Sequence, residues 1–169
     1  MQGRRVDLVI GRVYGSIADG SFDIETLFHD QLFVAAGTNS PWVRRRRLEL
    51  ADVIDGPWAL PPHDSQIGSL VAEAFGASGL SFPRASVVCF SIQMNNALLA
   101  TGRYLSMLSG SMLRLSGSRL SIKALPISLP VTRRPVGIIT VRSRTISPVA
   151  QLFIRCAHEV CRPLAARGV

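Results

Sequence analysis

The stretch L-L-A-T-G-R-Y-L-S-M-L-S at residues 98–109 predicts a helix that ends at Gly102 and a strand that follows it. Two phrases precede it: V-D-L-V-I-G-R at residues 6–12 and L-F-H-D-Q-L-F-V-A-A-G at residues 27–37. The first predicts a buried central strand over residues 6–10 that stops at a glycine, and the second predicts a strand that leads away from it. Strand and helix signals alternate along the chain, which predicts α/β layers with a largely parallel sheet.

Short apolar runs between turn residues predict the remaining elements. Further strands are expected at residues 58–60, 85–90, 104–108, 122–127 and 136–142. Helices are expected from a cap at Asp64 or Ser65 to Gly79, from Ser91 to Gly102 and from Ser147 to about Leu164, with a short helical turn after Met112.

Two of these helices carry a predicted inward face. The helix that begins at Ser91 places Met94, Ala97, Leu98 and Thr101 on one side. The final helix is expected to bury one broad apolar stripe, whose members are Val149, Leu152, Phe153, Cys156, Ala157, Val160 and Leu164.

Length and composition fit one compact domain, since 169 residues with 47% apolar content can bury a sizeable core. The longest apolar stretches fall well short of the roughly 20 residues that a membrane span needs. The opening M-Q-G-R-R-V-D lacks the apolar core of a secretory signal. We therefore expect a soluble, cytoplasmic protein with no membrane partner.

The cysteines and histidines do not predict a metal site or a cofactor. Cys156 and Cys161 lie five residues apart on a predicted helix, so they point about 140° apart and cannot hold one ion together. The three cysteines are expected to be small buried apolar residues. The three histidines are scattered, and neither H-E-x-x-H nor C-x-x-C occurs.

The chain carries a formal net charge of +8, and four consecutive arginines stand at residues 44–47. This run lies between the turn signal N-S-P and a short helix near Leu48, which predicts a solvated connection. A contact with phosphates or with an acidic partner is the alternative. Because no recognition helix adjoins the run, we expect no sequence-specific DNA binding by this chain alone.

With L-A-D-V-I-D-G-P-W-A-L-P-P at residues 50–62, the three phrases together resemble the effector-binding domain of LysR-type transcriptional regulators from about Val6 onward. The resemblance implies a two-lobed, type II periplasmic-binding-protein-like α/β sensor domain over residues 1–169. It assigns residues 1–30 and 134–169 to lobe one and residues 31–133 to lobe two. It also implies a small-molecule effector in a cleft between the lobes.

Members of that family begin with a winged helix-turn-helix, a linker helix, and an opening strand and helix of the sensor domain. None of these precedes Val6, so we expect lobe one to be incomplete. An uncovered apolar edge or face of that lobe would promote association, and we expect a homodimer or a larger homo-oligomer.

Two predicted helix starts are candidates for binding an anion. Unpaired N–H groups and the positive end of the helix dipole favour a carboxylate there. The resemblance places the effector near these segments, which comprise Ser65, Gln66, Ile67, Ser91, Ile92 and Gln93. The alternative is that both serines only cap their helices.

Arg12 is a further candidate, because a guanidinium beside a strand end can form a bidentate pair with a carboxylate. Some members of the family carry an arginine at the matching place. A surface salt bridge to Asp7 or Asp19 is the alternative. Together with the helix starts, Arg12 predicts a small, carboxylate-bearing effector.

Catalysis has little support, since the sequence holds no G-x-S-x-G elbow, Walker loop or G-x-G-x-x-G. We therefore expect a regulatory sensor that responds through lobe or dimer geometry rather than an enzyme. Two alternatives stay open: a solute-binding protein of a transporter, and a truncated module that dimerises with an intact regulator.

Overall fold

The computed structural model describes residues 6–13, 20–129 and 131–166. The chain divides into two compact units. Unit 1 comprises residues 1–30 and 133–169, and unit 2 comprises residues 31–132.

The described residues form eight strands and four α-helices. The strands are β1 (Leu8–Arg12), β2 (Phe22–Asp30), β3 (Leu32–Gly37), β4 (Trp58–Leu60), β5 (Ala85–Val88), β6 (Leu105–Ser109), β7 (Ile122–Ala124) and β8 (Arg134–Val141). The helices are α1 (Gln66–Ala77), α2 (Ile92–Ala100), α3 (Gly110–Ser116) and α4 (Pro148–Ala165). Short 3₁₀ helices occupy Pro41–Arg44 and Leu50–Val53.

Unit 1 contains a three-stranded sheet in the order β1-β8-β2, with both pairings antiparallel. Its core forms where α4 packs on the sheet, through Leu27, Phe28, Ile138 and Leu164.

The prediction of a buried central strand over residues 6–10 that stops at a glycine is wrong. β1 continues through Gly11 to Arg12 and lies at the edge of the three-stranded sheet. Val9 and Ile10 are each 40% exposed. The reason is that β8, more than a hundred residues further along the chain, pairs on both of its sides and takes the central place. An apolar run does not by itself show whether a strand lies at the edge or in the centre of its sheet.

Unit 2 contains a five-stranded sheet in the order β5-β4-β6-β3-β7. β4 pairs in parallel with β5 and β6, whereas β3 pairs antiparallel with β6 and β7. The prediction of a largely parallel sheet is therefore wrong for both units. Parallel neighbours need long crossover connections, and α1 and α2 provide them only among β4, β5 and β6.

The core of unit 2 is built around Trp58 and Phe75. Their rings meet edge to face with centroids 5.6 Å apart, and Trp58 donates its indole N–H to the carbonyl oxygen of Val53 at 2.8 Å. The predicted helix from Ser65 to Gly79 is confirmed as α1, which buries Leu70, Val71, Ala74 and Phe75. Gly79 follows it with a φ of +70°, the left-handed conformation that favours glycine after a helix.

The predicted extent of α2 is confirmed, but its predicted inward face is wrong. Met94 is 54% exposed, while Leu99 is fully buried. Asn95 turns toward the sheet because its amide N–H donates to the buried hydroxyl of Ser106 in β6, at 2.9 Å. A polar contact therefore decides the orientation of this helix, and apolar spacing does not reveal it.

The prediction of one apolar stripe on α4 is wrong, because its apolar residues form two stripes, one packed and one exposed. The side that packs in unit 1 carries Ala150, Ile154, Ala157, Cys161 and Leu164. A second stripe about 100° around the helix is exposed and comprises Val149, Leu152, Phe153, Cys156 and Val160.

The prediction that all three cysteines are buried is also wrong. Cys156 is exposed, and Cys89 and Cys161 are partly buried. Burial raises the pKa of the Cys161 thiol. Across the described ranges, none of the helices is long and apolar enough to span a membrane.

Candidate effector site

The first turns of α1 and α2 lie at the same edge of the unit 2 sheet. β4 and β5 are parallel neighbours, and each is followed by a short loop and a helix. The backbone N–H of Cys89 donates to the carbonyl oxygen of Leu60 at 3.0 Å, which joins the ends of the two strands. The structure thus brings the segments that begin at Ser65 and Ser91 to one sheet edge. We call it the carboxyl edge, because it is formed by the carboxyl-terminal ends of β4 and β5.

Ser65 caps α1 in two ways. Its Oγ accepts a hydrogen bond from the N–H of Gly68 at 3.0 Å, and it donates to the carbonyl oxygen of Pro62 at 2.6 Å. A side chain on Gly68 would collide with the backbone of Pro62 and His63, so the first turn packs directly on that loop. Ile67 contacts the core of unit 2, and Gln66 is exposed.

Ser91 caps α2 in a more open setting. Its Oγ accepts from the N–H of Met94 at 3.2 Å and lies 3.4 Å from Oε1 of Gln93. Ile92 is 63% exposed, and Gln93 is exposed as well. The capping roles of Ser65 and Ser91 are therefore present, and effector binding by these six residues stays a prediction.

A third serine-capped helix start lies at the carboxyl edge. Ser109 ends β6, which is parallel to β4, and its Oγ accepts from the N–H of Met112 at 3.3 Å. The same strand–serine–helix order that marks Ser65 and Ser91 was the signal for it in the sequence. Asn95 is another polar residue that sequence reasoning missed, and its Oδ1 is buried and accepts no hydrogen bond from a described residue.

Arg12 belongs to unit 1, where it forms an ion pair with Asp30. Its Nη2 lies 3.1 Å from Oδ2 of Asp30, and the two side chains are 11% and 3% exposed. The described partner is thus Asp30 and not Asp7, and Asp19 lies outside the described residues. Nη1 of Arg12 is buried and donates no hydrogen bond to the described part of the chain. Its predicted role in effector binding stays a prediction.

A surface cavity of about 410 Å³ lies at the opposite edge of the unit 2 sheet, where β4 and β5 begin. It is lined by Ile54, Asp55, Gly56, Arg84, Ala85 and Ser86. None of the residues predicted to bind an effector lines this cavity. The two edges of the sheet therefore offer two distinct places for a ligand.

Within the described ranges, no three side chains among histidine, cysteine, aspartate and glutamate come together as metal ligands. The carboxyl edge instead presents helix N–H groups and serine hydroxyls, which suit an anion.

Comparison with known proteins decides the family. The family described as LysR substrate binding domain matches residues 1–162 of the 169. The chain belongs to this family. The resemblance drawn from the three sequence phrases is thereby confirmed.

This LysR domain is similar to several bacterial regulators. It is 25% identical over 147 residues to the HTH-type transcriptional regulator GbpR of Azospirillum brasilense, covering 86% of this chain and 43% of that protein. The chain thus spans less than half the length of this relative.

Two solved structures show the same fold. The regulatory domain of Synechocystis CcmR, in complex with 2-PG, has a TM-score of 0.78 and 19% identity, covering 98% of this chain and 78% of that one. The effector-binding domain of QuiR, in complex with shikimate, has a TM-score of 0.73 and 18% identity, covering 97% and 76%. The LysR domain therefore has the type II periplasmic-binding-protein-like α/β fold, as predicted.

Proposed function

We propose that this LysR domain is the small-molecule sensor of a transcriptional regulator, and that effector binding changes transcription through a shift in lobe or dimer geometry. The family match over residues 1–162 and the similarity to an HTH-type regulator support this role. The domain binds and releases its effector unchanged, without catalysing a reaction.

The effector is a small carboxylate that binds at the carboxyl edge of unit 2. The observation that carries this proposal is that two helices, capped by Ser65 and Ser91, follow parallel neighbouring strands and therefore begin at the same sheet edge. Each start adds free N–H groups and a positive dipole end, so the two together favour a negative charge. QuiR, whose domain has this fold, binds shikimate, which carries a carboxylate.

Arg12 of unit 1 is proposed, independently of the carboxyl edge, as a residue that contacts a carboxylate. Its Nη1 is buried and donates to no described residue, so a carboxylate oxygen would satisfy it. Because Nη2 is already paired with Asp30, only one edge of the guanidinium is available for a ligand.

The domain also associates with further copies of itself. Two apolar features of unit 1 support this: the edge strand β1, with Val9 and Ile10 exposed, and the exposed stripe of α4. Exposed edges and contiguous apolar side chains promote association.

The effector proposal is tested with matched pairs of acids and neutral amides, such as benzoate against benzamide and shikimate against shikimamide. Thermal unfolding is followed at increasing ligand concentration. An acid at about 100 times its Kd should stabilise the domain by about 2.7 kcal/mol, which raises Tm by several degrees. The amides should give clearly smaller shifts, since they lack the charge.

Two variants locate the effect. Gln66→Glu and Gln93→Glu add a negative charge to the first turns of α1 and α2, where it favours the helix but repels a bound carboxylate. Each should weaken the best acid roughly tenfold or more, since one charge-assisted hydrogen bond contributes about 1.5 to 3 kcal/mol.

The matched control is Gln151→Glu, which is the same substitution near the start of α4 in unit 1. It should leave the affinity for the acid unchanged. If the acids do not stabilise the domain, or if all three variants weaken them equally, the carboxyl edge is not the effector site.

A further inference from the structure

The positive charge of unit 2 is concentrated at one edge of its sheet. Residues 31–132 contain nine arginine and lysine side chains. Only Arg114 lies away from the edge where β4, β5 and β6 begin. The other eight, which we call the basic edge, are Arg44, Arg45, Arg46, Arg47, Arg84, Arg103, Arg119 and Lys123.

The sheet topology brings these eight residues together from five segments. Arg84 directly precedes β5, and Arg103 lies two residues before β6. β3 ends at this edge, where the N–H of Thr38 donates to the carbonyl oxygen of Ser121 at 2.8 Å, between Arg119 and Lys123. The arginine run at residues 44–47 follows in the loop after β3.

The eight cations are distributed along the whole width of the sheet. The order β5-β4-β6-β3-β7 places Arg84 at one end and Lys123 at the other. Neighbouring strands lie about 4.8 Å apart, so the basic edge extends over about 19 Å. It lies opposite the carboxyl edge and adjoins the cavity that Arg84 lines.

All eight side chains belong to exposed residues, and none forms an ion pair with a carboxylate of the described chain. Three carboxylates lie in the neighbouring loops: Glu49, Asp52 and Asp55. Glu49 and Asp52 already accept hydrogen bonds from each other's backbone N–H groups. Cations outnumber carboxylates eight to three at this edge, so it attracts anions.

We propose that the basic edge binds the phosphate backbone of duplex DNA without reading its sequence. B-form DNA carries one negative charge per about 1.7 Å of its axis, so about eleven phosphates lie along 19 Å. Seven of the eight side chains are arginines, whose planar guanidinium pairs with phosphate in bidentate fashion. No helix start of α1, α2 or α3 faces this edge, so base reading is not part of the contact.

A phosphate backbone suits this edge better than an acidic protein does. Protein interfaces usually combine charge with buried aromatic or aliphatic anchors. The strongly exposed large apolar side chains of unit 2 are Val88, Phe90, Ile92, Met94, Leu115 and Val131, and none belongs to the basic edge. Trp42 lies beside it with the guanidinium of Arg45 5.1 Å above its ring.

The test is fluorescence anisotropy of this 169-residue chain with two labelled duplexes of unrelated sequence, between about 50 and 200 mM salt. Both duplexes should bind with equal Kd values of roughly 10⁻⁶ to 10⁻⁴ M near physiological salt. The affinity should fall steeply with salt, by about 0.9 in log–log slope for each phosphate contacted.

Matched charge variants separate a local contact from general attraction. Arg46→Gln/Arg47→Gln/Arg119→Gln should reduce the slope by about 2 to 3. Arg114→Gln/Arg155→Gln/Arg162→Gln removes the same charge outside the basic edge and should leave the slope nearly unchanged. Circular dichroism verifies folding, and Arg103→Gln/Lys123→Gln provides a second basic-edge variant.

Absence of binding, or equal loss in the two triple variants, overturns the proposal. So does a tenfold preference for one duplex sequence. If poly-L-glutamate at the same charge concentration displaces the DNA as effectively as unlabelled duplex does, the surface is specific for acidic chains in general, and the DNA assignment is wrong. None of these outcomes depends on an effector being bound.

Discussion

Among the single residues, Arg12 combines a structural role with its candidate role in ligand binding. Its ion pair with Asp30 is almost fully withdrawn from solvent, with side chains 11% and 3% exposed. Removing Arg12 would take this ion pair away from the buried carboxylate of Asp30, and the loss of one partner of a buried pair is strongly destabilising. An alanine at residue 12 would therefore change stability and ligand affinity together.

We predict that Arg12→Met lowers the free energy of unfolding by about 3 kcal/mol. The measurement is urea unfolding followed by circular dichroism. The double variant Arg12→Met/Asp30→Asn should recover part of the loss, because the buried negative charge is then removed together with the arginine. A loss below about 0.5 kcal/mol, the range of ordinary surface substitutions, would show that the pair has no structural role.

Arg12→Lys separates the two roles, because it keeps a positive charge beside Asp30 but lacks the second, freely directed edge of the guanidinium. If Nη1 binds the effector, this variant should weaken the best acid by about tenfold with little loss of stability. Unchanged affinity would remove Arg12 from the effector site.

At the level of elements, the sequence predicts those features that depend on residues close together in the chain, such as the ends of helices. Ser65, Ser91 and Gly79 were identified from capping chemistry, and their roles depend on neighbours within a few residues. The edge position of β1 and the mixed pairing of β3 depend on strands far along the chain. Hydrophobic periodicity indicates which face of a strand is buried, but it does not tell which strand lies beside it.

The helices show the same limit. The inward face of α2 is set by the hydrogen bond from Asn95 to Ser106, a contact between two polar residues that apolar spacing ignores. On α4, apolar residues cover two neighbouring faces, and the sequence does not tell which one the sheet covers. For the candidate site, sequence reasoning found the two helix starts but missed the third, at Ser109.

Adjacent residues of α4 test the role of its exposed stripe. Phe153 is 52% exposed, whereas Ile154 packs in the core of unit 1. We predict that the wild-type chain sediments as a dimer or larger species at tens of micromolar, and that Phe153→Asp shifts it toward the monomer with a stability change within about 0.5 kcal/mol.

Ile154→Asp is the control, and it should lower stability by several kcal/mol because it buries a charge. If wild-type protein sediments as a clean monomer, or if Phe153→Asp leaves the distribution of species unchanged, the exposed stripe does not promote association.

On the scale of the whole molecule, unit 2 carries two chemically different edges on one sheet. The carboxyl edge collects helix N–H groups and serine hydroxyls, and the opposite edge collects eight of the nine basic side chains of the unit. We propose that a carboxylate effector binds at the carboxyl edge.

The most direct test is a ¹⁵N–¹H correlation spectrum of the labelled domain, recorded during titration with the acid that gives the largest thermal shift. We predict the largest chemical-shift changes at the backbone amides of Gln66, Ile67, Ile92 and Gln93, the first-turn N–H groups of α1 and α2. Changes confined to Asp55, Arg84 and Ser86, which line the cavity at the opposite edge, would contradict binding of the carboxylate at the carboxyl edge.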